Sequence, residues 1–105
     1  MFEAAHDCIK KGDACIAHCL PMLAAGDTSM GECARAANDM RAVMVGLASA
    51  AASGNAHLVD LARAAMLFCD DCRDACLKHA DKHIVCRECA EACARTVAAC
   101  KKLVG

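Results

Sequence analysis

Apolar positions recur along this chain at steps of three and four, and four such stripes can be followed through it. The first is Ala5, Cys8, Gly12, Cys15, Cys19 and Met22, and it predicts a helix over residues 2–24. Pro21 falls inside that helix, where it is expected to kink the last turn or end regular hydrogen bonding. Gly26-Asp27 is the break. The second stripe, Met30, Cys33, Ala37, Met40, Met44, Leu47 and Ala51, predicts a helix over 29–52, opened by a capping box at Ser29 and Glu32. Ser53-Gly54-Asn55 reads as a turn with Asn55 as the next N-cap. The third stripe, Leu58, Ala62, Ala65, Cys69, Cys72, Cys76 and His79, predicts a helix over 56–79. The fourth, His83, Cys86, Cys89, Cys93, Thr96, Cys100 and Leu103, predicts one over 82–103. The link between them, around Asp81, contains no Gly or Pro and is the least marked of the boundaries.

Four helices of similar length, short links and heptad-like stripes imply an all-α protein, an antiparallel up-down-up-down four-helix bundle formed by residues 1–105 as one domain. All eleven cysteines fall on the stripes, so the bundle has a Cys-lined core. Antiparallel order then stacks the stripes into layers. Met22, Met30, His79 and His83 meet at one end with His18 close by; next come Cys19, Cys33, Cys76 and Cys86. Below lie Cys15, Cys72 and Cys89, then Met40, Cys69 and Cys93, then Cys8, Met44 and Cys100. Leu47, Leu58 and Leu103 close the far end. In this arrangement Met40 and Met44 are read as core filler, and the Asp and Glu residues as solvated faces.

Composition narrows the function classes. Ala is abundant, there is no Trp or Tyr, and Phe occurs twice, which fits thin helix contacts lined by Ala. With a formal net charge of −1 and no basic run, neither nucleic acid nor an anionic membrane is an expected partner. No apolar run is long enough to span a bilayer. The start of the chain lacks the layout of a signal peptide, so a cytoplasmic location is expected unless a leader is missing from the sequence. Eleven cysteines in a short chain invite a disulfide reading. The spacing opposes it. Residues four apart on a helix have Cβ atoms ~5–6 Å apart, whereas a disulfide needs roughly 3.5–4.5 Å.

The twin triplets Cys69/Cys72/Cys76 and Cys86/Cys89/Cys93 repeat Cys-x-x-Cys-x-x-x-Cys with helix-forming spacers. Thiols on one helix face suit a soft metal, and Cu(I) accepts two or three thiolate or thioether ligands. Buried unpaired thiolates are costly. Because each Cu(I) carries a single positive charge, near-neutral filling requires about one ion per cysteine, with thiolates shared between ions. Three alternatives stay open. Cys69-x-x-Cys72 with Cys86-x-x-Cys89 has the paired spacing of a zinc site, although its spacers are helical and not turns. The triplet also resembles part of an iron–sulfur signature, without its Cys-Pro ending. A thiol redox protein is the third, but no βαβ pattern accompanies the Cys-x-x-Cys pairs. No catalytic triad or phosphate-binding motif is present, and an enzyme is not expected.

The chain resembles the copper storage proteins, Cys-rich four-helix bundles of bacteria. The resemblance rests on Cys15-Ile-Ala-His18-Cys19-Leu-Pro-Met22-Leu, on Asp27-Thr-Ser-Met30-Gly-Glu-Cys33 and on the two triplets. It implies multiple Cu(I) ions inside the bundle, bound largely by Cys-x-x-x-Cys pairs. It implies an open end for metal access lined by His18, Met22 and Met30. It also implies a homo-oligomer, a tetramer in some members, and partners limited to metal ions and a copper chaperone or efflux-linked copper donor.

Overall fold

The computed structural model describes residues 2–105; Met1 and the side chain of Phe2 lie outside the described residues. Helix α1 is Phe2–Ala24, α2 is Gly31–Ser53, α3 is Leu58–Leu77 and α4 is Ile84–Val104, with a 3-10 turn at Thr28–Met30 leading into α2. Every end lies within two residues of the one its stripe predicts. No strand occurs among the described residues, and no helix is long and apolar enough to cross a membrane.

The helix ends show why the stripes stop where they do. α1 and α2 finish with the same device. Gly26 and Gly54 adopt φ of +98° and +65°, a conformation that side chains disfavour. At α1, the amides of Gly26 and Asp27 donate back to the carbonyls of Leu23 and Met22. At α2, the amides of Gly54 and Asn55 donate to Ala51 and Ala50. This is the Schellman arrangement, which satisfies the last carbonyls of a helix. The residue after each glycine then starts the next turn through its own side chain. The Asp27 carboxylate accepts from the Ser29 amide at 3.2 Å and from its hydroxyl. Asn55 Oδ1 accepts from the His57 amide at 2.8 Å. The capping box expected between Ser29 and Glu32 is therefore not formed. Asp27 stands one residue past the glycine and takes the Ser29 donors first, and Glu32 instead accepts from Lys78 Nζ at 3.1 Å. The other expectation that changes is Pro21. The chain stays helical through it to Ala24, because the ring sits on the exposed face and its carbonyl still accepts from Ala25 at 3.0 Å.

α1 packs against α2 and α4, and α3 packs against the same two, so the helices form a square in chain order. Contacts across neighbours run in opposite senses. From α1 to α4, Asp7 meets Arg95, Lys11 meets Glu88 and His18 meets His83. From α1 to α2, Asp13 meets Arg41 while Cys15, further along α1, meets the earlier Cys33. The bundle is antiparallel, as the stripes predict. These exposed ion pairs contribute little energy each, but they show the register.

The envelope measures 44 × 20 × 18 Å. A helix with its side chains is about 10–12 Å across, so a square of four leaves room for one column of side chains along the axis. That column is built of cysteines, Ala5, Ala37, Ala62, Ala65, three methionines and Leu47. Leu58 and Leu103 pack against its far end. The one buried polar side chain among the described residues, Thr96, donates to the Ala92 carbonyl at 3.0 Å and reaches the Ala4 carbonyl at 3.3 Å, which ties α4 to α1.

Capping and packing here require no ion. The reduced, metal-free protein is thus expected to give a far-ultraviolet circular dichroism spectrum dominated by helix. A chain that was unfolded until metal was added would instead belong with proteins whose folding is driven by the ion.

Candidate metal centre

All eleven cysteines are free thiols with no solvent exposure. α1 contributes Cys8, Cys15 and Cys19; α2 contributes Cys33; α3 contributes Cys69, Cys72 and Cys76; α4 contributes Cys86, Cys89, Cys93 and Cys100. Steps of three and four keep each set on the inward face of its helix.

The sulfurs gather in four groups, in each of which every Sγ lies within 4.8 Å of the others. Nearest the His end is Cys15, Cys19, Cys33 and Cys86. Then come Cys15, Cys76 and Cys89; Cys72, Cys89 and Cys93; and Cys8, Cys69 and Cys93. Consecutive groups share a member: Cys15 links the first two, Cys89 the second and third, Cys93 the third and fourth. Contacts between groups are equally short, 3.3 Å for Cys33–Cys76 and 3.9 Å for Cys72–Cys76. The result is a continuous ladder of sulfur along the bundle axis.

The four-residue spacings work as expected: Cys15 and Cys19 lie 3.9 Å apart, and Cys89 and Cys93 fall in one group. The three-residue pairs that resemble a zinc site do not converge, since no group holds both Cys69 and Cys72 or both Cys86 and Cys89. Flat layers are the expectation that needs correcting. Cys15 joins the level of Cys19, Cys33 and Cys86 as well as that of Cys89, Cys76 falls with Cys15 and Cys89, and Cys8 groups with Cys69 and Cys93. Side chains of packed helices interlock as knobs in holes, so one thiol touches two successive levels. Cys100 is buried but belongs to no group of three among the described residues.

At the His end, His18 Nε2 and His83 Nδ1 are 2.9 Å apart and the His79 ring is 6.3 Å from that of His83. All three are half-buried. Met22 is half-buried against the core, whereas Met30 is fully buried. Met30 therefore lies beneath the surface of this end and does not rim it. Met40, read from its spacing as core filler, is fully buried. Its thioether accepts from the Cys8 thiol at 3.4 Å in the buried interior; the available signal was its place on the stripe level with Cys69 and Cys93.

The thiols divide electrostatically. Burial pushes Cys19 up to about 11 and Cys86 up to about 12, and it raises Cys100. Neighbouring thiols that donate to a thiolate act the other way. Cys15 first, then Cys76, hold Cys33 down at about 3; Cys69 first, then Cys93, hold Cys8 at about 4. The donors are raised in turn: Cys15 by Cys33, and Cys69 by Cys8. An isolated thiolate is tolerated only where several S–H groups point at it, and a cation supplied to the ladder would displace those protons.

Linkage gives a sign for the metal-free protein. Cys19 and Cys86 titrate above the ordinary thiol value of 9.0, so the unfolded chain sheds their protons first as pH rises. Their contribution to stability is complete below pH 9 and is lost between there and about 11 to 12. The expected outcome is a melting temperature of the reduced apo-protein that declines above pH 9, and a weaker decline in a Cys19→Ala, Cys86→Ala variant. A flat profile through pH 11 would contradict it.

A family model described as copper storage protein matches residues 1–105, the whole chain, and the chain belongs to that family. No curated protein matches it.

Proposed function

We propose that this member of the copper storage protein family takes up several Cu(I) ions and keeps them in a column between its helices. The thiolates of Cys8, Cys15, Cys19, Cys33, Cys69, Cys72, Cys76, Cys86, Cys89, Cys93 and Cys100 are the donors. His18, Met22 and Met30 serve the end through which the metal passes. The observation that carries this reading is the overlap of the sulfur groups, in which Cys15, Cys89 and Cys93 each belong to two. A shared thiolate bridges two ions. Bridging lets each monovalent ion balance about one thiolate while still having two or three sulfur neighbours. A single-site protein has no use for such a ladder.

The reading is of a store and not of a catalyst. Copper arrives from a chaperone or an efflux-linked donor that docks at the His end, and storage takes place in the cytoplasm. Self-association into a homo-oligomer is supported by Leu67 and Phe68, which stand 68% and 38% exposed side by side on α3. A zinc reading is favoured by one observation: Cys15, Cys19, Cys33 and Cys86 form a group of four thiols, the number that zinc takes in a structural site.

An anaerobic titration of the reduced protein with Cu(I), repeated with Zn(II) in competition, tests the proposal. Cu(I) is expected to saturate near one ion per cysteine, with zinc confined to far fewer equivalents. Replacing Cys72, Cys76, Cys89 and Cys93 together with Ala should remove several equivalents and leave the helical spectrum in place. Replacing His18, Met22 and Met30 should alter the rate of loading or withdrawal more than the final stoichiometry. Saturation at one or two Cu(I) ions would overturn the storage reading.

A further inference from the structure

We propose that Met40 is a metal ligand: its thioether completes a deep Cu(I) site with Cys8, Cys69 and Cys93, and Gly12 is the residue that makes room for it. This rests on the storage reading above and extends it to a donor that is not a thiol.

Met40 has no solvent exposure, and its Sδ lies 3.4 Å from Cys8 Sγ. Cys8 itself is within 4.8 Å of both Cys69 and Cys93. Three helices therefore contribute thiols, α1 through Cys8, α3 through Cys69 and α4 through Cys93, and α2 adds a fourth sulfur, the Met40 thioether beside Cys8. That contact is what sets Met40 apart from core filler that meets no thiol. Met44, one turn further along α2 and equally buried, makes no such contact among the described residues.

Gly12 supplies a second, independent observation. It lies on the inward stripe of α1 one turn beyond Cys8, where glycine in a helix interior costs roughly 0.5–1 kcal/mol relative to alanine. Its backbone is helical, so no unusual φ requires glycine there. What it leaves is space for Met40: a Cβ on residue 12 would stand 2.8 Å from the Met40 Cε methyl, so the end of that side chain would have to shift. The gap on α1 lets the Met40 side chain pass beneath the helix and present its sulfur to Cys8.

The chemistry favours a thioether at this end of the ladder. It is soft, as Cu(I) prefers, and it is neutral, so no proton must leave before it binds. Cu(I) held by two thiolates and a thioether carries one unit less negative charge than Cu(I) held by three thiolates, which matters in an interior remote from water. The third thiolate of the group is then free to bridge toward the next ion; Cys93, which belongs to two groups, is placed to do so.

The test uses the full chain, reduced and loaded to saturation with Cu(I), and follows withdrawal of copper by a strong chelator. Met40→Leu conserves volume, and Met44→Leu is the control. In Met40→Leu about one equivalent should leave roughly tenfold faster or more, the scale of loss seen when support for a bound metal is removed. Helix content should be unchanged, and Met44→Leu should behave as the wild type. Gly12→Ala should act in the same direction as Met40→Leu, and the double variant should be no worse than Met40→Leu alone. Withdrawal from Met40→Leu that matches the wild type, or an equal effect of Met44→Leu, overturns the proposal. The wild-type stoichiometry, read in the same experiment, judges the storage reading separately. A Cys8→Ala variant with undiminished stoichiometry would overturn the deep site itself.

Discussion

A thiolate in a protein interior must be met by positive charge or by donors, and the rest of this structure follows from meeting that condition eleven times in one narrow column. Among the described residues the column offers no buried Lys, Arg or His to do it. Without metal the sulfurs have one another as partners: Cys15 and Cys76 lie 3.4 and 3.3 Å from Cys33, and Cys93 lies 3.8 Å from Cys8. Such an arrangement is stable only as long as most of the thiols keep their protons. It is at the same time primed for a soft monovalent cation, which replaces a proton one for one without changing the total charge of the core.

Because the sulfurs are held for this purpose, the fold has to be secured by other means. Helix propensity from the abundant Ala, the two glycine-terminated helix ends and the Ala-lined contacts provide it. Ala5, Ala37, Ala62 and Ala65 bring the helices close enough for thiols on neighbouring helices to approach within 3.3–4.0 Å. Larger core residues at those positions would push the helices apart and open the ladder. The column has an aliphatic end at Leu47 and a His end, where His18 and His83 lie 2.9 Å apart, and so is asymmetric along its axis.

Much of this was legible in the residues. The 3.6-residue period fixed which positions face inward, so all four helices and the burial of every cysteine followed from the stripes. What periodicity does not carry is the vertical offset between helices. Cys15 keeps its expected neighbour Cys89 and also reaches the level of Cys19, Cys33 and Cys86, and that offset is why it belongs to two groups. Local hydrogen-bond competition was equally invisible: Ser29 matches a capping box in spacing, yet Asp27 takes its donors because the glycine before it turns the chain. Spacing alone reads Met40 as core filler, since only the three-dimensional contact with Cys8 shows where its sulfur lies.

The account stands on ions lying inside the bundle, bridged by shared thiolates, with the helices unmoved. Anomalous diffraction at the copper edge, from crystals of the Cu(I)-loaded protein, tests this most directly. The account predicts a file of copper peaks along the axis from the group of Cys15, Cys19, Cys33 and Cys86 to that of Cys8, Cys69 and Cys93, with neighbouring ions sharing Cys15, Cys89 or Cys93. Peaks confined to a single site, or lying on the outer faces of the helices, would contradict it.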